Sequence, residues 1–196
     1  MARVHDWHGA QRDERHRVGV REDAVAGGAA GGMGRAHYAG AEQPAMNLVT
    51  FEDLIEGTVY EGSEVVAERE AMVGYAKQYD PWPFHVDPEA ARSSPFGGLI
   101  ASAGYTFSLW CRSLHGVFRS DGREWAFLGG YELRIKLLQP VRPDDRMRVR
   151  VTIVSTRPSS RPGRGHVDSV HELVRHDGVP VFRVDLGFLM ATRSTP

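Results

Sequence analysis

"DPWPFHVDPEAARSSPFGGLIAS", residues 80–102, is the stretch on which the fold turns. Its first half sets Asp80 and His85 five positions apart and stiffens the backbone around them with Pro81, Pro83 and Pro88. Proline fixes its own φ and restricts the residue before it. A carboxylate and an imidazole are thereby held at a set separation, which a turn rarely needs and a site does. In its second half the charge disappears: no Asp, Glu, Lys or Arg stands between Arg92 and Arg112. That run contains Pro95, Gly97, Gly98, Ser102 and Gly104, which reads as a segment buried in protein rather than a membrane span.

Upstream, residues 58–67 read as a strand ending in Val65 and Val66. "EREAMVGYAKQYD" follows, with Met72, Val73, Ala76 and Tyr79 at helical spacing and Glu68 and Glu70 suited to a helix N-terminus. Pro81 ends that helix near Asp80. Residues 80–91 then form a rigid loop, with one short helical turn after Asp87 as N-cap and Pro88 at the first helical position. Downstream, Leu99, Ile100, Ala103, Phe107, Trp110, Cys111 and Leu114 repeat at three and four, predicting a long helix apolar almost all round that Gly116 stops. After residue 125 the period becomes two. Tyr131, Leu133, Ile135 and Leu137 alternate with Glu132, Arg134 and Lys136. Met147, Val149, Val151 and Ile153 alternate with Arg148, Arg150 and Thr152. Phe182, Val184, Leu186, Phe188 and Met190 share one face. Asp177-Gly178 marks a tight hairpin between the last two strands. The order is strand, helix, rigid loop, long buried helix and four antiparallel strands, an α+β arrangement in which one sheet wraps one helix.

Residues 1–45 contain no Leu, Ile or Phe and hold eight of the 22 glycines. So few large apolar groups do not offset ordering entropy, so the segment reads as a disordered N-terminal extension, either a flexible arm or a stretch upstream of a start at Met46. Residues 46–196 form the folded domain. The 196-residue chain is 41% hydrophobic with a net charge of −1, enough for one core and without the basic footprint of a nucleic-acid binder. A single cysteine, Cys111, and no apolar run before residue 46 fit a cytoplasmic protein without disulfides or a signal peptide. Arg157, Arg161 and Arg164 read first as a solvated hairpin tip and second as a contact for coenzyme A phosphates. His85-Val86-Asp87 finds no third ligand at a recognisable spacing, so neither a metal nor another cofactor is expected.

Asp80-Pro81-Trp82-Pro83-Phe84-His85 resembles the D-x-x-P-x-H core of the MaoC-like dehydratases, which include the R-specific enoyl-CoA hydratases. "AARSSPFGGLIAS" looks like that family's continuation into an uncharged helix, and "LLQPVRPDDRMRVRV" is similar to its turn between two long strands. The likeness spans roughly Leu54 to Thr192. It implies a hot-dog fold, usually dimeric, and syn addition or removal of water across the 2,3 double bond of an acyl thioester. Carried onto this sequence, it gives catalytic roles to Asp80 and His85 and an oxyanion role to the backbone N–H groups of Ala103 and Gly104. Trp82, Phe84 and Ser102 are the candidate substrate-binding residues. The substrate is an acyl-CoA or acyl-carrier thioester, and no nucleic acid or membrane partner is expected. The chain departs from the family pattern at Tyr79, where many members have Gly, at Trp82 for Asn, and at Ser102-Ala103 for His-Gly. Two other readings stand beside this one. One is a non-catalytic acyl-thioester binding or partner subunit. The other is a hot-dog thioesterase, which commonly takes a carboxylate from the long helix, whereas residues 90–120 contain no Asp or Glu.

Overall fold

The computed structural model describes residues 47–120 and 122–193; the N-terminal extension expected over 1–45 lies outside the described residues. Five long strands form one antiparallel sheet. They are β2 (Val59–Val66), β4 (Phe127–Leu137), β5 (Arg146–Pro158), β6 (Arg164–Arg175) and β7 (Pro180–Ala191), in the spatial order β2-β5-β6-β7-β4. Two short strands, β1 (Leu48–Val49) and β3 (Glu124–Trp125), pair in parallel beside it. Between β2 and β3 run four helices, α1 (Arg69–Tyr79), α2 (Pro83–Val86), α3 (Pro88–Arg92) and α4 (Ala103–Phe118). Beyond the expected strands, the sheet follows the sequence because period-two alternation puts one apolar row of each strand on one face. On β5, Met147, Val149, Val151 and Ile153 are buried under α4 while Arg146, Arg148 and Arg150 point to solvent. The Asp177-Gly178 hairpin is present, with Gly178 at a φ of 85° and its N–H donating to the Arg175 carbonyl.

Helix α4 lies across β2, and two glycines let the backbones meet. A Cβ at Gly62 would strike the Ser113 carbonyl, and one at Gly116 would strike Ser63. Gly116 is therefore a packing residue inside α4 and not its stop; the helix continues to Phe118. The start also differs from the expectation. Leu99 and Ile100 are buried, but in an extended segment before the helix, and α4 begins at Ala103. Nor is α4 apolar all round. Its buried face is Tyr105, Thr106, Leu109, Trp110, Ser113, Leu114 and Val117, whereas Ala103 is exposed and Phe107 and Cys111 are half-buried. Hydroxyls explain the shift. Thr106 donates to the Ser102 carbonyl at 3.1 Å, and Ser113 donates to the Ser63 carbonyl at 2.6 Å while accepting from the Val149 N–H at 2.8 Å. Satisfied hydroxyls bury at little cost, and a count of apolar residues passes over them. On α1, Met72 and Ala76 are buried as the spacing predicts, but Tyr79 is exposed, resting on Tyr75.

The apolar row of β4 meets no core. Leu133, Ile135 and Leu137 are all exposed, Leu137 by 61%. β4 is one of the two edge strands and, among the described residues, pairs only with β7, while α4 packs at the other end of the sheet, against β2 and β5.

Candidate active site

Helix α1 ends where Pro81 forces it to, leaving Asp80 as its C-cap with a backbone N–H that donates to the Ala76 carbonyl at 2.8 Å. The Trp82 N–H turns back onto the Asp80 carbonyl, also at 2.8 Å. Pro83 then opens the one-turn helix α2, within the stretch expected as a rigid loop, and α2 carries His85 inward. Asp80 and His85 converge: His85 Nε2 stands 3.7 Å from Asp80 Oδ2. That is too long for a direct hydrogen bond and suits two groups that reach one small molecule between them. The imidazole is almost fully buried and the carboxylate about one-third exposed, at 8% and 36%.

The other ring nitrogen fixes the chemistry. His85 Nδ1 lies 2.8 Å from the Ile100 carbonyl. A carbonyl only accepts, so in the neutral ring Nδ1 carries the proton and Nε2 turns its lone pair toward Asp80. The same residue ties the helix start to the loop, because the Ile100 N–H donates to the Phe84 carbonyl at 3.3 Å. Next to it the Ala101 N–H donates to the Val141 carbonyl at 2.8 Å. The extended lead into α4 is thus stapled between the His85 turn and the β4–β5 connection, which fixes the α4 N-terminus relative to the imidazole.

These pieces wall a cleft of ≈ 430 Å³. Asp80, His85, Trp82, Phe84 and Ala103 all face it, so five of the seven expected site residues meet there. Trp82 lies at its rim, 62% exposed, its ring parallel to Phe84 with centroids 6.1 Å apart. Ser102 does not face the cleft. It is wholly buried as the N-cap of α4, and its hydroxyl accepts from the Tyr105 N–H at 3.3 Å. Its place is that of a helix cap rather than a substrate contact. Gly104 is turned toward Tyr75, whose hydroxyl a Cβ there would approach to 2.6 Å, so its side lies off the cleft wall. Its backbone N–H and that of Ala103 are first-turn donors without an intrahelical acceptor. Asp87, by contrast, caps α3, accepting from the Glu89 and Ala90 N–H groups at 2.9 and 3.3 Å. The opposite wall, Leu137 to Val141 with Gln139 among them, was not singled out from the sequence, nor was Thr106 on the floor. The "LLQPV" turn was visible as a motif, but which cleft it faces is set by long-range packing. Arg157 and Arg161 are exposed in the β5–β6 hairpin, at the opposite end of β5 from the turn that walls the cleft. Among the described residues no three His, Cys, Asp or Glu side chains gather in a metal-binding group, and no helix is long and apolar enough to cross a membrane.

Residues 50–174 match the model of the MaoC like domain. The chain belongs to this family. Its fold is that of a MaoC-like dehydratase from Rhodospirillum rubrum, 30% identical, with a TM-score of 0.68 over 75% of this chain and 99% of that one. The R-hydratase PhaJ1 from Pseudomonas aeruginosa shares the fold at 17% identity and a TM-score of 0.55, over 74% of this chain and 86% of its own. An uncharacterised protein of Bacillus subtilis (strain 168), YdeM, is 27% identical over 139 residues, 68% of this chain and 93% of that one. The antiparallel sheet with its central helix is therefore a hot-dog fold, and the MaoC-like chain carries its acid and histidine in the loop before that helix.

Proposed function

We propose that this MaoC-like protein is an acyl-thioester hydratase or dehydratase acting at the 2,3 double bond of an enoyl-CoA or enoyl-carrier thioester. The observation that carries the reading is the tethered His85. Its Nδ1 is held by the Ile100 carbonyl, its Nε2 lone pair faces Asp80 at 3.7 Å, and Ala103 at the start of α4 faces the same cleft. In the hydration direction a water held between the two groups gives a proton to Nε2 as its oxygen bonds to C3. The C2=C3 electron pair moves toward the thioester, and the oxygen that gains charge meets the free N–H groups at the α4 N-terminus. The Asp80 carboxylate stabilises the imidazolium until it returns the proton to C2 on the same face. One water is added and the enzyme is unchanged. Each positioned proton carrier accounts for roughly 10²–10⁴-fold, and one oxyanion donor for about 2.7–4 kcal/mol.

The working unit in this reading is a homodimer. The bare row on β4 runs along an unpaired sheet edge, which folded proteins cover. Leu137 and Leu138 belong both to that exposed edge and to the cleft wall, so a second copy against β4 would also close the site. Trp82, exposed at the cleft mouth where many relatives carry Asn, favours a second reading, a subunit that binds an acyl thioester without converting it.

Incubation with crotonyl-CoA separates the readings. Loss of the enoyl absorbance without free thiol supports the hydratase. Thiol release would make the protein a thioesterase, and binding without either change would make it the non-catalytic subunit. Light scattering tests the assembly: a stable monomer at micromolar concentration excludes the dimer.

A further inference from the structure

The core behind the cleft holds polar groups that the proposed reaction does not use. On β6, Ser169 and His171 face inward on the same side of the strand, both buried. The Ser169 hydroxyl stands 2.8 Å from His171 Nε2 and donates to the Leu186 carbonyl at 3.2 Å. A hydroxyl has one proton. With that proton on Leu186, Ser169 Oγ accepts from Nε2–H, and Nδ1 is the unprotonated nitrogen of the ring. Among the described residues His171 Nδ1 has no hydrogen-bond partner, and neither has the indole Nε1–H of Trp110 on α4. The two rings are neighbours, with centroids 5.6 Å apart, and the residues are only 1% and 4% exposed. Burial pushes the His171 pKa down to about 4, against the opposing pull of Asp185, so the ring is neutral and keeps its lone pair at neutral pH. An orphaned acceptor and an orphaned donor thus belong to two neighbouring rings in the buried core. Buried polar atoms are nearly always paired, and where protein partners are lacking an enclosed oxygen supplies the bonds.

We propose that Trp110 Nε1 and His171 Nδ1 form a site for one hydroxyl oxygen, which accepts from the indole N–H and donates to the imidazole. Water is one source of that oxygen. A hydroxyl far along the acyl chain of a substrate is the other. Thr106, one α4 turn before Trp110, lines the cleft. Leu137 lines it too and pairs with Phe182, whose ring packs on Trp110. The pair is thus linked to the inner wall through Thr106 on α4 and through Phe182. The substrate source rests on the acyl-thioester reading, whereas the site itself does not.

Nuclear magnetic resonance on the ¹⁵N-labelled full chain tests this. Long-range proton–nitrogen correlations report the His171 tautomer, and the Trp110 indole proton is assigned with Trp110→Phe or, if that variant misfolds, by its contacts to Phe182 in the wild type. The expected result is His171 protonated on Nε2, with a cross-relaxation peak from the Trp110 indole proton to water or to ligand hydroxyl. Trp110→Phe should also shift Nδ1 toward the value of an unbonded pyridine-type nitrogen. Addition of a saturating acyl-CoA with a terminal hydroxyl distinguishes the sources. Loss of the water peak with a new peak to the acyl chain assigns the oxygen to substrate, and an unchanged water peak assigns it to solvent. Protonation on Nδ1, or an indole proton without any oxygen neighbour in both samples, overturns the proposal. Failure of hydration with crotonyl-CoA would remove the enzymatic reading and leave this result standing.

Discussion

The two buried histidines of the folded domain, His85 in the cleft loop and His171 in the sheet, differ in what their second nitrogen meets. Each ties one nitrogen inside the protein, His85 to the Ile100 carbonyl and His171 to the Ser169 hydroxyl. The remaining nitrogen of His85 faces a partly exposed carboxylate across a cleft, and that of His171 is unpartnered in a buried ring that packs near an indole. Only the first arrangement allows a proton to come and go, because a charge formed on His85 has Asp80 beside it and solvent within reach. A charge on His171 would stand in a low-dielectric interior, and its pKa is lowered accordingly. Burial is common to both; in the proposed reaction it is His85 that turns a free lone pair toward a carboxylate and solvent.

The sharpest way to break this comparison is to remove each member of the cleft pair. His85→Gln and Asp80→Asn should each lower kcat on crotonyl-CoA by roughly 10²–10⁴-fold, about 3–5 kcal/mol of transition-state stabilisation. The double variant should lose little beyond the worse single, because the groups act on one water. Thermal melts should show all three folded. Multiplying losses would mean that the two side chains act on separate steps.

For His171 the effect should be on stability and confined to a pH window. The unfolded histidine titrates near its ordinary 6.5, while the folded one is held down to about 4. As pH falls from 6.5 toward 4, the unfolded chain takes up a proton that the folded chain refuses, so folding stability falls. The full difference is about 3 kcal/mol, reached near pH 4 and absent above pH 7. Urea unfolding of the wild type and His171→Phe between pH 4.5 and 7.5 should show the wild type losing stability faster on acidification. Parallel pH profiles would mean that the folded state accommodates the charged ring.

How much of this was legible in the residues follows from the range of the forces. Asp80, His85 and the prolines between them are local, so the pairing could be read from spacing. The β5 and β7 faces were legible because burial on one side imposes a period of two. The same pattern on β4 gave the apolar face of the strand but not what covers it, since the alternation is equally consistent with a core and with a second chain. The α4 face was misread because Thr106 and Ser113 bury their hydroxyls on partners 4 and 50 residues away, respectively. The anchor of His85 is a backbone carbonyl, which any residue at position 100 supplies, so no residue type marks it. The resemblance makes Ser102 a substrate contact, whereas in the structure it caps α4, the ordinary task of a serine at that position.

The smallest effect is expected at the second carboxylate of the loop, and it sharpens the contrast by keeping chemistry and capping apart. Asp80 and Asp87 are seven positions apart and both stand at helix ends. Asp80 follows its helix, where no free N–H group points at the side chain, so its carboxylate is left to face His85. Asp87 precedes its helix, and its Oδ1 is engaged by the Glu89 and Ala90 N–H groups. Asparagine caps nearly as well as aspartate, so Asp87→Asn should cost about 1 kcal/mol or less, a shift of a few degrees in Tm, and leave kcat close to the wild type. Melts and turnover measured beside Asp80→Asn decide the matter. Abolished turnover in Asp87→Asn with activity retained in Asp80→Asn would exchange the two roles, placing the reactive carboxylate on α3 and making the 3.7 Å approach of Asp80 to His85 a structural contact.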